Sequence, residues 1–227
     1  MIMNTIDQKP AGSANRGPSP GILATVYFIL FAVGMIYTIA GTSGASYPTP
    51  YDPVQKAQEY YHQYHHIVQV HALFLFWSAL PLGIFTAFFT GHLSSQGVHR
   101  GGLNIASFGG YGAAIMLTIS GLCTWVLSQP IITDAPGTTR IVQLLAFATG
   151  GTGYVALSGL LISGLAVTGG LGRMLPRWLM WSGLVIAAIS VLAMFNIAFP
   201  GVSILLPIGR FTGMIWMLIA GYKLKRS

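Results

Sequence analysis

Charge is what this sequence lacks. Of 227 residues only 7% are charged, and only four are acids, where a soluble domain carries roughly 25% charged residues. No soluble fold could cover its surface with so little charge, so water-soluble enzymes and binding modules are excluded together. Cysteine is almost missing as well. Cys123 stands alone, which rules out an intrachain disulfide, a CxxC redox pair and a thiolate metal cluster. The HExxH pattern of zinc proteases does not occur, and no Lys-Ser or Lys-Thr follows the glycines as in a phosphate-binding loop. None of the four acids lies in an apolar run. Paired catalytic carboxylates, the intramembrane acids of a proton-coupled pump and the acidic rings of a cation channel are therefore absent. No internal repeat is visible, which argues against an inverted-repeat transporter.

What the chain has is apolar length: 53% of its residues are hydrophobic. Runs of about twenty residues, enough to cross a ~30 Å hydrocarbon core at 1.5 Å per residue, recur along it. They predict an all-α integral membrane protein, a bundle of six transmembrane helices at 21–42, 66–90, 102–128, 139–168, 178–198 and 204–222. The domain organisation read from this is a flexible cytoplasmic tail over 1–20, rich in Pro, Gly, Ser and Asn, followed by a six-helix domain over 21–227. The first apolar run is too long for the ~7–15-residue core of a secretory signal and reads as a retained helix.

The eleven Lys and Arg residues, which give a formal net charge of +7, are scattered singly between apolar segments. That pattern fits no nucleic-acid surface but does fit the positive-inside rule. With the N-terminus inside, Lys9, Arg16, Arg100, Arg173, Arg177, Lys223, Lys225 and Arg226 lie on the cytoplasmic side, while Lys56, Arg140 and Arg210 lie outside with Asp52, Glu59 and Asp134. Both termini are then cytoplasmic, as expected in a bacterial inner membrane. The five tryptophans are candidate interfacial anchors.

Glycine concentrates in helices three and four, at Gly109, Gly110, Gly112 and Gly121 and again at Gly150, Gly151, Gly153, Gly159 and Gly164. Small residues let membrane helices approach closely, which makes tight bundle packing the first reading. The sharper reading is that Gly150-Gly151-Thr152-Gly153 locally unwinds helix four, as broken helices do around transported solutes.

The segment Tyr51 to His71 holds four of the six histidines and four of the ten tyrosines. If one helix runs from Pro53 to about Thr90, its ~37 residues span about 55 Å, and several turns project beyond the outer face. Glu59, His62 and His66 then share one side, with His65 on the flank. Imidazole and carboxylate at this spacing could ligate Zn, Cu or Fe. The competing reading is an interfacial amphipathic stretch or a contact surface for a partner chain.

Two further residues carry expectations. His71 is the only histidine inside a predicted span, so a haem held by two histidines of this chain is disfavoured, and His71 could serve as one axial ligand at most. Arg210 lies about two turns inside helix six with no membrane-embedded acid to pair with. Its partner is an outer-loop carboxylate such as Glu59 or Asp134, a backbone carbonyl, a lipid phosphate or an anionic ligand. Arg140 and Arg210, each near an outer helix end, could together hold an anion, a quinone headgroup or a lipid.

Three functions follow in order. The first is a non-enzymatic accessory or binding subunit, associating with itself or with other integral membrane subunits. The second is a metal-dependent or redox protein using the Glu59, His62, His65, His66 cluster. The third is a carrier or channel for a small solute or anion.

Overall fold

A computed structural model of the protein describes residues 17–97 and 100–224. Residues 1–16, most of the expected tail, lie outside the described residues. The described chain is all helical, and six of its helices are long and apolar enough to cross a membrane. The first is α1 (Pro20–Gly41), which Ser19 caps by accepting the Ile22 N–H at 3.2 Å, with proline at the first helical position.

The extended second helix occurs as two, α2 (Val54–Gln63) and α3 (His65–Ser95), meeting at Tyr64 with φ −110° and ψ 25°. The backbone bonds Tyr64 N–H to Tyr60 and Val68 N–H to Tyr64, both 2.9 Å, persist across the joint, which makes it a bend. The reason is burial. A straight helix would leave Ala57, Tyr60 and Tyr61 in water, whereas the bend packs them over α5 (Pro130–Thr133) and α6 (Pro136–Phe147). The long helix therefore folds over the end of the bundle instead of standing off it.

The remaining helices are α4 (Arg100–Leu127), α7 (Tyr154–Leu171), α8 (Arg177–Leu192) and α9 (Leu205–Lys223). A π-helical turn, Ala148–Gly153, joins α6 and α7 into one span, and two 3₁₀ turns, Ala193–Ile197 and Pro200–Ile204, join α8 to α9. Neighbours in the chain are neighbours in space: α1, α3, α4, α7, α8 and α9 follow one another around the bundle, and α9 closes on α1.

That closure rests on glycine. A Cβ on Gly221 would meet the Gly21 backbone nitrogen at 2.7 Å, so the start of α1 and the end of α9 touch at one end of the bundle, here the terminal end. The opposite end, covered by α2, is the cap end. The crossing of α4 and α7 is equally close, since a Cβ on Gly109 would stand 2.4 Å from the Leu161 nitrogen and one on Gly164 would stand 2.5 Å from the Gly102 oxygen.

The outside of the bundle is apolar. Ile22, Ile29 and Ile36, one heptad apart on α1, are 53%, 51% and 62% exposed, a stripe that only lipid or another apolar surface can cover. Trp77, Trp125, Trp178 and Trp181 are exposed, as interfacial anchors should be. Trp216 is not an anchor: it is buried in the core, where its Nε1–H donates to the Leu179 carbonyl at 2.8 Å.

Candidate functional site

The cap end is built from the loop after α1. Tyr47 stands edge-on to the rings of Tyr60 and Tyr61 in α2, with centroids 5.3 and 6.1 Å away. Two residues one turn apart on α6 hold the loop from below. Gln143 Nε2 donates to the Pro48 carbonyl at 3.0 Å, and Arg140 Nη1 donates to the Pro50 carbonyl at 2.6 Å and to Gln143 Oε1 at 2.9 Å. The second Arg140 nitrogen, Nη2, donates to the Asp52 carbonyl.

Asp52 in turn fixes the loop from inside. Its carboxylate takes Lys56 Nζ at 2.9 Å, the Thr49 N–H at 2.7 Å and the Thr49 hydroxyl at 2.8 Å. The bond from Lys56, followed by those from Thr49, holds its pKa down at about 2. Burial first, and then the neighbouring tyrosines, push the Tyr60 phenol up to about 12 and Tyr61 higher still. Both are neutral O–H groups at physiological pH.

Beneath this lid lies a cavity of about 540 Å³, reached by His71 from α3, Ser120 from α4, Gln143 from α6 and Arg210 from α9. Its walls are otherwise mainly apolar, among them Phe31, Met35, Leu75 and Leu206. Tyr61, which is fully buried, also lines it, with its hydroxyl beside that of Tyr47. A volume in the ~300–1,000 Å³ range, apolar walls and a few convergent polar groups are the features of a small-molecule site.

Among the described residues, Arg210 is the one Lys or Arg on the wall. One guanidinium nitrogen donates to the Gly150 carbonyl, and the charge lies over two aromatic faces, 5.4 Å from the Phe31 centroid and 5.0 Å from that of Tyr154. No carboxylate pairs with it among the described residues. Of the partners expected for Arg210, the backbone carbonyl is the one found. The Tyr154 hydroxyl is itself bonded to that of Tyr27, a buried pair behind the cation.

The carbonyl comes from the π-helical turn. Gly150, Gly151, Thr152 and Gly153 do not unwind helix four; they widen it by a turn, a form concentrated at functional sites. Two carbonyls in and just before it are served by side chains, Gly150 by Arg210 and Ala146 by the Ser120 hydroxyl at 2.9 Å. A Cβ on Gly150 would lie 2.2 Å from Ser120 Oγ, so only glycine allows this approach.

His71 Nδ1 lies 3.2 Å from the Gly34 carbonyl. A carbonyl can only accept, so Nδ1 carries a proton and donates it there. Among the described residues, no other histidine lines the cavity with it.

The other expected site residues lie elsewhere. Glu59, His62, His65 and His66 are all exposed on α2 and the start of α3, with the His65 and His66 rings 4.2 Å apart. Among the described residues, no group of three or more His, Cys, Asp or Glu side chains comes close enough together to hold a metal ion. Arg140 is not among the residues lining the cavity that Arg210 faces, and its guanidinium bonds to the lid carbonyls and to Gln143. Gln143, Tyr61, Ser120 and Tyr154 were not singled out from the sequence. The only available signal was the i, i+3 spacing of Arg140 and Gln143.

Compared with protein families, with curated proteins and with solved structures, the chain finds no match.

Proposed function

We propose that this protein is a non-enzymatic membrane binding protein that takes one small amphipathic molecule into the cavity under its cap. The observation that carries the reading is Arg210, a cation on the wall of that cavity with one backbone bond and no carboxylate partner among the described residues. Charge held in a membrane span costs at least about 2.5 kcal/mol near the bilayer centre, and two aromatic faces and one carbonyl offset only part of that. A ligand supplying acceptor oxygens offsets the rest.

The orientation that accompanies this reading places the terminal end in the cytoplasm of a bacterial cell and the cap outside its inner membrane. Arg173, Arg177 and Lys223 are exposed at the terminal end, whereas Asp52, Glu59 and Asp134 belong to the cap end. Association with a second copy or with other membrane subunits would use the apolar stripe of α1. The test is small-molecule extraction from gently purified protein, comparing the wild type with Arg210→Gln and with Met35→Trp, which fills the cavity. A compound retained by the wild type and lost from both variants supports the reading; equal recovery from all three contradicts it.

A carrier reading is favoured by one observation, the π-helical turn beside Arg210, because an irregular turn lining a cavity is where transported solutes are held. Flux of the extracted compound through proteoliposomes separates transport from static binding.

A further inference from the structure

The chemistry of the cavity wall defines the class of molecule it takes, and the geometry points to a carboxylate-headed, single-chain amphiphile whose anionic head is held by Arg210. This rests on the binding reading above and narrows it. The first argument is charge. Among the described residues Arg210 is the one Lys or Arg on the wall and no acid lines the cavity. A neutral ligand such as a quinone would leave that charge uncompensated in apolar surroundings, whereas a monoanion compensates it.

The second argument is the inventory of donors. A guanidinium has five N–H groups in a planar fork, and Arg210 directs one bond to Gly150. The remaining edge suits two acceptor oxygens on one centre, as in a carboxylate. Tyr61 adds a further hydroxyl, fully buried on the same cavity beside that of Tyr47 and without a well-formed hydrogen bond among the described residues. A hydroxyl so placed can turn to donate to a ligand oxygen.

The third argument is shape. Phe31, Met35, Leu75 and Leu206 surround the polar groups with apolar surface, which a hydrated inorganic anion would have no reason to enter. A cavity of about 540 Å³ is of the size that holds one drug-sized molecule. It has room for a single alkyl chain but not for a two-chain phospholipid. Ile39 and Phe211, both on the cavity wall, are also exposed on the apolar exterior, which gives a chain dissolved in the bilayer a route to the head site.

The experiment is a titration of the full chain in phosphatidylcholine nanodiscs at pH 8. The probes are a fluorescent polyene fatty acid and its methyl ester, read as saturable energy transfer from tryptophan above the signal of empty nanodiscs. The acid is expected to bind one per chain and roughly 10- to 100-fold more tightly than the ester, the range of one charge-assisted hydrogen-bonded contact. Arg210→Gln should erase that preference, and Arg210→Lys, which keeps the charge and guards against a folding defect, should keep much of it. Equal affinity for acid and ester, or displacement of the acid by a short-chain ubiquinone at equal concentration, overturns the carboxylate assignment while leaving a binding protein. No saturable signal from either probe, in the wild type and in Arg210→Lys alike, overturns both.

Discussion

Arg210 and Gly150, sixty residues apart in the chain, are joined by a hydrogen bond from the guanidinium to the main-chain carbonyl of the π-helical turn. The bond ties α9 to the span formed by α6 and α7 and fixes the cation at the cavity wall. It depends on the absence of a side chain at position 150. Gly150→Ala places a Cβ where Ser120 Oγ now stands, and overpacking of this kind costs about 1–3 kcal/mol. Thermal unfolding in detergent should fall accordingly. Gly150→Ala with Ser120→Gly, which removes the clashing hydroxyl, should recover part of the loss.

The lid depends on α6. Gln143→Ala leaves the Pro48 carbonyl and one Arg140 N–H without their partner in a buried setting, a loss of about 1–3 kcal/mol. Hydrogen exchange over residues 45–53 should quicken markedly in this variant while exchange in α4 and α7 stays as in the wild type. Unchanged exchange in the loop would show that Gln143 does not hold it.

Tyr61→Phe separates a structural role from a binding role. The hydroxyl makes no well-formed hydrogen bond among the described residues, so its removal should leave the unfolding temperature of ligand-free protein unchanged or slightly raised. Affinity for the ligand should fall by roughly tenfold, the value of one hydrogen bond. A fall in stability without ligand would mean that the hydroxyl serves the fold.

Much of the fold was legible because it follows from the solvent. Six apolar runs, one lone cysteine and scattered positive charge specify a helical membrane bundle through length and composition alone, and the six observed spans match the expected ones to within a few residues. Glycine at 109 and 164 marked a close helix crossing for the same reason. The bend at Tyr64 was not legible, because no glycine or proline signals it; it arises from the burial of Tyr60 and Tyr61 on α6, a tertiary effect. The glycines of the GGTG turn mark it as irregular, but sequence does not distinguish unwinding from a π turn. The site itself was half visible. Arg210 and His71 stood out by being polar in apolar runs, yet nothing in their spacing says that they share one cavity, and the paired role of Arg140 and Gln143 appears only once the loop lies over them.

The lid should also respond to acid. The Asp52 carboxylate titrates near 2 in the folded protein because Lys56 and Thr49 favour its ionised form, against about 3.9 when free. Its contribution to loop order is complete above about pH 4 and disappears as pH falls toward 2. A spin label at Ser46→Cys, in a Cys123→Ser background, should gain mobility over that interval. In Asp52→Asn the label should be mobile at all pH values and show no transition there.

The crossing of α4 and α7 gives the largest expected loss. Gly109→Leu cannot be accommodated, since even a Cβ meets the backbone of Leu161 at 2.4 Å. The helices must separate, and cooperative unfolding at ordinary temperatures should disappear, with circular dichroism as the measure. Gly137→Ala, where a Cβ meets nothing within 4 Å, is the matched control and should unfold like the wild type.

The binding reading requires that the cavity beside Arg210 hold a small molecule. Native mass spectrometry of the protein, released from membranes without exchange of its lipids, tests it most directly. One adduct of constant mass per chain in the wild type, absent from Met35→Trp and Arg210→Gln, is the predicted result. A bare chain in the wild type, or adducts at the same stoichiometry in all three proteins, would contradict it.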